Sequence, residues 1–281
     1  MKLGDARIVL TGASGGLGQA FASGLVKAGA AVMLVGRSPA RLSEQARQLK
    51  RGGPRGEAQV RWHAADIDKH ANCERLRDAA VDWGANVLVL GAGVPSFGRF
   101  ESLDAEVVAQ ALLTNLLSPI LLTKLMLPHL REQPQAQLIC IGSALGSIGL
   151  PGFSVYSACK FGLHGFAEAL RRELADSAVR VQYLGPRSTR TPFNDVGVER
   201  YNAATKTAMD EPAEVAAAFL QLLVNERAEL FIGFPERFAV RLNALVPTWL
   251  DRSFAKHRRI VAEGDTAPLA SSGPAKNGSA P

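Results

Sequence analysis

The chain is short of cysteine, of unbroken apolar runs and of patterned metal ligands, and each shortage excludes a class of protein. Its three cysteines (Cys73, Cys140, Cys159) among 281 residues have no ligand-like spacing. That excludes a disulfide scaffold or a cysteine-based zinc site and fits a reducing compartment. His63, His70, His129, His164 and His257 share no metal-ligand spacing either, so no metal is expected. No unbroken run of about 18 apolar residues occurs, so a spanning helix is not expected. Met1-Lys2-Leu3-Gly4-Asp5 lacks the apolar region of a secretory signal, and a cytoplasmic location is expected. With 47% hydrophobic and 21% charged residues, the chain has ample material to offset the entropy of ordering.

The formal charge of +6 is concentrated. Residues 235–260 hold six basic residues (Arg237, Arg241, Arg252, Lys256, Arg258, Arg259) against Glu236 and Asp251. This is one short basic segment and not a stripe across a domain, so no nucleic-acid partner is expected.

Short apolar runs alternate with helix-spaced segments along most of the chain. Strands are predicted over 7–11, 31–35, 60–65, 86–90, 137–141, 179–184 and 230–233. Helices are predicted over 17–28, 39–50, 69–82, 102–131, 154–175 and 212–226, with Pro119 and Pro128 interrupting the fourth. This pattern predicts an α/β fold, a Rossmann-like doubly wound parallel sheet with helices on both faces, plus a helical C-terminal extension. The expected organisation is a catalytic domain over 1–233, a basic amphipathic extension over 234–260 and a disordered Ala/Gly/Pro/Ser-rich tail over 261–281.

The 27 glycines cluster where the first strand ends, at Thr11-Gly12-Ala13-Ser14-Gly15-Gly16-Leu17-Gly18. Glycines between a strand and a helix allow a tight turn and let backbone N–H groups approach a pyrophosphate at the helix N-terminus. Gly12, Ser14, Gly16, Leu17 and Gly18 are therefore candidate cofactor contacts. An acid at the end of the second strand would hold the ribose hydroxyl of NAD, whereas an arginine favours the phosphate of NADP. The sequence there is Val35-Gly36-Arg37-Ser38-Pro39-Ala40-Arg41, with no acid. Arg37 is the candidate phosphate partner, Arg41 could assist, and NADP(H) is the expected cofactor.

Tyr156 and Lys160 stand four residues apart on a predicted helix and so share a face. An ammonium there stabilises a tyrosinate, lowering the phenol pKa and letting Tyr156 exchange a proton with a carbonyl or alcohol oxygen. Ser143, thirteen residues earlier and just past a strand end, could donate a hydrogen bond to the same oxygen.

Together these residues resemble the short-chain dehydrogenase/reductase family in its compact single-domain form, over roughly residues 5–233. The resemblance implies that Asp66 contacts the adenine end of the cofactor and that Ala92, Gly93, Thr191, Tyr156 and Lys160 also contact it. It further implies a catalytic tetrad of Asn115, Ser143, Tyr156 and Lys160, with Asn115 anchoring a water that relays protons to Lys160. Two departures stand out. Leu90-Gly91-Ala92-Gly93 replaces the family's Asn-Asn-Ala-Gly, and Arg187 follows Pro186 where the family has glycine. Arg187 is expected to face substrate, a cofactor phosphate or solvent.

The resemblance also implies reduction of a ketone or aldehyde to an alcohol, and a homodimer or homotetramer built on helices 102–131 and 154–175. The alternative is a non-catalytic NADP(H)-binding sensor on the same fold. Residues 192–211 are expected to form a mobile lid, with Pro192, Phe193, Val196, Val198, Tyr201 and Met209 lining an apolar pocket and Gly197 as hinge. In the extension, Phe238, Leu242, Leu245 and Trp249 recur at helical spacing, and Pro247 splits the segment. The stripe could cover the substrate mouth or a subunit interface, lie on an anionic membrane, or be merely solvated.

Overall fold

The computed structural model describes residues 1–52, 59–234 and 236–264. Seven parallel strands form one sheet: β1 (Arg7–Thr11), β2 (Ala31–Gly36), β3 (Val60–Ala64), β4 (Val87–Leu90), β5 (Ala136–Ile141), β6 (Val179–Gly185) and β7 (Glu229–Phe231). Their order is β3-β2-β1-β4-β5-β6-β7. The chain reverses direction of travel between β1 and β4, and this opens a crevice beyond their C-terminal ends. Inner strands such as β4 and β5 are buried on both faces, which is why they read as continuous apolar runs.

Helices α1 (Gly16–Lys27), α2 (Pro39–Gly52) and α8 (Pro212–Asn225) pack on one face of the sheet and α3 (His70–Asp82), α5 (Ser118–Glu132) and α6 (Ser154–Glu173) on the other, with α4 (Ala105–Leu112) and α7 (Val196–Thr205) completing the set. Phe21, Leu25, Phe219 and Leu222 of α1 and α8 pack with Ile8, Leu10 and Leu34 in one core layer. On the other face Leu76, Leu122, Met126, Leu163 and Tyr183 pack with Val9, Leu88 and Leu138.

The long fourth helix breaks elsewhere than the prolines suggest. A π-helical turn at Leu113–Leu117 separates α4 from α5, while Pro119 sits in the first turn of α5 and Pro128 within it. Proline at a helix start gives up a donor that is unpaired anyway. Asp68 anchors the π turn, accepting from Thr114 Oγ1 (2.6 Å), Ser118 Oγ (2.7 Å) and Gln110 Nε2 (2.7 Å). Taken through this turn, Ala105–Glu132 spans 28 residues with an 18-residue window of mean hydropathy 1.5, long and apolar enough to cross a membrane. The sequence expectation therefore holds only for unbroken apolar runs. Leu122, Met126 and Leu130 are fully buried against the sheet, as in the core helix of a globular domain.

Beyond β7 lie α9 (Glu236–Leu245), a 3-10 segment (Pro247–Phe254) that Pro247 opens, and α10 (Ala255–Gly264). Residues 261–264 are thus helical, where their composition reads as tail; 265–281 lie outside the described residues. So does the side chain of Trp249, one member of the expected stripe.

Candidate active site

The crevice begins at the glycine turn. Gly12 adopts φ +69°, a left-handed conformation that favours glycine, and a Cβ there would come within 2.6 Å of Gly91 O. The helix that follows has Gly15 at its N-cap with no side-chain cap, so the first N–H groups of α1 at Gly16, Leu17 and Gly18 are left for an anion. Thr191 covers this turn: a Cβ on Gly16 would lie 2.6 Å from Thr191 Cβ. A phosphate-bearing cofactor fits this turn, because Gly15 supplies no side-chain cap and the backbone donors at the start of α1 are left for it. Thr11 Oγ1 accepts from Gly91 N (3.0 Å) and Ala92 N (3.2 Å) and donates to Val89 O (3.1 Å). That hydroxyl ties the two strand ends together where the family's asparagines are missing.

Arg37, the residue after β2, is exposed and has no hydrogen bond or ion pair among the described residues. Arg41 is engaged instead with the turn, its Nη2 donating to Ser14 O at 2.7 Å. Asp66, two residues past β3, is half-buried and accepts from Asp68 N at 3.3 Å.

Tyr156 and Lys160 stand one turn apart on α6, with the Lys160 ammonium 5.6 Å from the Tyr156 ring centroid. Ser143 lies just past β5, and its Oγ accepts from Leu145 N at 3.1 Å. Lys160 Nζ is buried and donates to Ile141 O at 3.0 Å. Burial lowers its pKa to about 8. Burial also pushes the Tyr156 phenol well up, against a smaller lowering by Ser143. The phenol, expected to be lowered by Lys160, is instead raised here, with desolvation of the tyrosinate the largest cause.

Asn115 lies in the π turn and uses both ends of its amide on one residue. Oδ1 accepts from Val94 N (2.8 Å) and Nδ2 donates to Val94 O (2.9 Å). Gly93 packs against the same amide, where a Cβ would sit 2.9 Å from Oδ1. The side chain of Asn115 thus fixes the loop after β4. Cys159 is fully buried beside Ala111 and Val155, and Cys140 and Cys73 are likewise core residues.

Other contacts at the site escape sequence patterns. Tyr183, deep in β6, grips Ser143: its hydroxyl accepts from Ser143 N (3.1 Å) and donates to Ser143 O (3.0 Å). The phenol occupies space that only glycines leave, since a Cβ on Gly142 or Gly146 would come within 1.9 or 2.2 Å of it. His164 stacks on Tyr183 with ring centroids 4.3 Å apart. Its Nδ1 faces Ser147 Oγ (3.2 Å) and its Nε2 faces Glu229 Oε1 (3.3 Å). Hydrogen bonding to Glu229 raises the His164 pKa, and the same bond holds Glu229 below the usual carboxylate range. His164, Glu168 and Glu229 bring donor atoms within 4.8 Å of one another, a grouping the sequence spacing did not reveal. Arg171 engages Glu229 at 3.3 Å and Arg172 engages Glu168 at 2.5 Å, so the group is an ion network in its own right.

The region over Tyr156 is aromatic. Phe193 lies 6.0 Å from the Tyr156 ring, and Phe97, Phe153 and Tyr201 form a cluster with centroids 4.8–5.4 Å apart. Within residues 192–211, Val198 and Tyr201 pack inward, whereas Pro192, Phe193 and Val196 are exposed. Gly197 is not a loop hinge but part of the first turn of α7, which Asp195 caps by accepting from Val198 N at 2.8 Å. Arg187, expected to face substrate, a cofactor phosphate or solvent, is instead largely buried and paired with Asp210. Its Nη2 and Nε meet Asp210 Oδ1 at 2.7 and 2.9 Å, clasping the two ends of this segment. The extension continues the cover: His257 Nδ1 meets Tyr201 OH at 2.5 Å, and Asn243 Nδ2 donates to Ser147 O at 2.8 Å.

A family model described as short chain dehydrogenase matches residues 6–202. An uncharacterized oxidoreductase, YxnA, of Bacillus subtilis is 30% identical over 264 residues, covering 91% of this chain and 73% of that protein. The ketoacyl reductase HetN of Nostoc is 30% identical over 228 residues, covering 80% of this chain and 78% of its own. Among solved structures, a short-chain dehydrogenase/reductase from Burkholderia phymatum in complex with NAD superposes with a TM-score of 0.78 at 21% identity, covering 87% of this chain and 95% of that one. A short-chain dehydrogenase from Sphingobium yanoikuyae in complex with NADPH superposes at 0.73 and 23% identity, covering 88% and 95%.

Proposed function

From the premise that the chain belongs to the short chain dehydrogenase family of oxidoreductases, we propose that it reduces an apolar, acyl-type ketone or aldehyde to the alcohol with NADPH. The observation that carries this reading is the Tyr156 phenol with the Lys160 ammonium 5.6 Å from its ring and Ser143 lowering its pKa, beside an uncapped helix N-terminus. When bound at the glycine turn, a reduced nicotinamide supplies the hydride. The chain's own groups then manage the oxygen. Ser143 Oγ donates a hydrogen bond to the substrate oxygen. The Tyr156 phenol gives its proton to that oxygen as negative charge gathers on it. Burial keeps the phenol protonated until then, which suits a proton donor. The Lys160 ammonium stabilises the tyrosinate left behind, and Asn115 holds the loop that borders the crevice.

NADPH is favoured over NADH because Arg37 is exposed and unengaged at the end of β2, where no acid stands. An apolar substrate suits the aromatic cluster of Phe97, Phe153 and Tyr201 and accords with the name of the ketoacyl reductase relative. The same reading includes a cytoplasmic homodimer or homotetramer. The apolar groove of Ile120, Leu127, Pro128, Phe166 and Leu170 between α5 and α6, with exposed Leu117, Leu121 and Phe161, supports it.

The test is NADPH oxidation followed with acyl, steroid-like and small sugar-like carbonyls. We expect the highest kcat/KM for acyl ketones, a preference for NADPH that Arg37→Ala erodes, and a fall in kcat of at least about a hundredfold for Tyr156→Phe. Undiminished turnover by Tyr156→Phe overturns the mechanism. Tight NADPH binding without turnover of any carbonyl favours a sensor instead.

A further inference from the structure

Helix α9 has two opposed faces. Val240 is buried and Asn243 bonds the Ser147 carbonyl, so this side is fixed to the loop that carries Ser143. Phe238, Arg241, Leu242 and Leu245 fall on the opposite side by helical spacing. Phe238 is 63% exposed and Leu245 80%, and Phe234, just before the helix, is 82% exposed. Basic residues belong to α9 and to the segments that follow it in the chain. Arg241, Arg252, Lys256, Arg258 and Arg259 are all exposed, with Asp251 the one acid between them, and none forms an ion pair among the described residues. Arg258 is spent only on a backbone carbonyl, donating to Asp251 O at 3.0 Å.

We propose that this outward face docks the protein on an anionic lipid surface, independently of the carbonyl chemistry above. Apolar side chains flanked by uncompensated cations are what a helix needs to lie in the plane of a bilayer: the rings and leucine enter the acyl boundary and the arginines meet lipid phosphates. The 10 residues of α9 are too few to span. The inner face holds α9 flat, and the Tyr201–His257 bond holds α10 against α7, so the surface is presented preformed. A second copy of the chain is a poorer occupant. A two-fold contact pairs a surface with itself, which would set these arginines against one another.

The test uses the full-length protein with phosphatidylcholine vesicles and with mixed phosphatidylcholine–phosphatidylglycerol vesicles, scored by flotation. We expect recovery with the mixed vesicles, little with phosphatidylcholine alone, and release as salt screens the charges. The double variant Phe238→Glu/Leu245→Glu and the double variant Arg258→Glu/Arg259→Glu should each lower the bound fraction about tenfold. Thermal melts of both variants and their NADPH binding serve as controls for folding. Equal recovery of wild type in the soluble fraction with either vesicle overturns the proposal. So does a dimer in sedimentation equilibrium that the Phe238→Glu/Leu245→Glu variant dissolves while vesicles bind neither protein.

Discussion

Ser143 owes its position to Tyr183, which holds both its N–H and its C=O through one phenol oxygen. Removing that oxygen leaves the ring in place but two buried backbone groups without their partner. We expect Tyr183→Phe to cost about 1–3 kcal/mol of stability, read by denaturant unfolding. We also expect it to lower kcat about tenfold with KM for NADPH little changed, since the Ser143 hydroxyl would stray from the geometry proton transfer needs. A residue that served packing alone would leave kcat intact in this variant. Tyr156, Lys160 and Ser143 were legible in the sequence because helical spacing and a strand end place them without reference to distant residues. Tyr183 was not, because it meets Ser143 across 40 residues of chain and reads locally as a core strand position. Its trace is the pair of glycines at 142 and 146, spaced as though something large must fit between them. The phenol pKa shows the same limit: spacing gives the neighbour, but only burial decides which effect prevails.

The segment 192–211 has ends that matter more than its middle. Arg187 and Asp210 close it, and the Asp210 side chain is only 7% exposed. Truncating Arg187 would leave a carboxylate stranded out of water, a change that costs about 3 kcal/mol when one partner of a buried pair is removed. We expect Arg187→Ala to lower the denaturation midpoint accordingly and to speed proteolysis between 192 and 209. Cleavage and unfolding no different from wild type would show that the clasp does not hold the segment. Sequence offered three destinations for Arg187 and the structure a fourth, because Asp210 lies 23 residues on and nothing in local pattern links them. Helices α1, α6 and α8 were legible from their periodicity and flanking glycines or prolines. Helix α7 was not, because its capping Asp195 precedes a short segment without a clear apolar stripe. The π turn before α5 was missed for another reason: it is set by Asp68, a tertiary anchor, while the prolines are accommodated.

At the scale of the molecule, His164 and Glu229 tie α6 to the edge strand β7. Glu229 raises the His164 pKa above 6.5, so the histidine's contribution to stability is complete below that pH and is lost as pH rises through the folded-state value. Glu229 is held below 4.5, so its contribution is lost only as pH falls through that lower value. The pair therefore stabilises most between 4.5 and 6.5. Melts in mildly acidic and mildly alkaline buffer should show a lower Tm on the alkaline side. Glu229→Gln should shrink the difference by an amount worth about 0.5 kcal/mol, since the pair is partly exposed. The doubly wound parallel architecture follows from strand–helix alternation together with right-handed crossovers and could be read without coordinates, whereas the order of the seven strands is seen only in the structure. The extension could be read as basic and amphipathic, but which side faces inward depends on Asn243 and His257 finding partners in the catalytic domain.

The three cysteines belong to three different elements, Cys73 in α3, Cys140 in β5 and Cys159 in α6, and all are buried. Desolvation raises the pKa of each thiol, so the folded protein offers almost no thiolate to an oxidant or electrophile. Chemical damage to any of them is then a record of motion. A modified Cys73 dates an opening of α3, a modified Cys159 a parting of α6 from its neighbours, and a modified Cys140 the loss of the sheet itself. The molecule thus carries a graded history of its own breathing, written in the side chains that its folded state keeps silent.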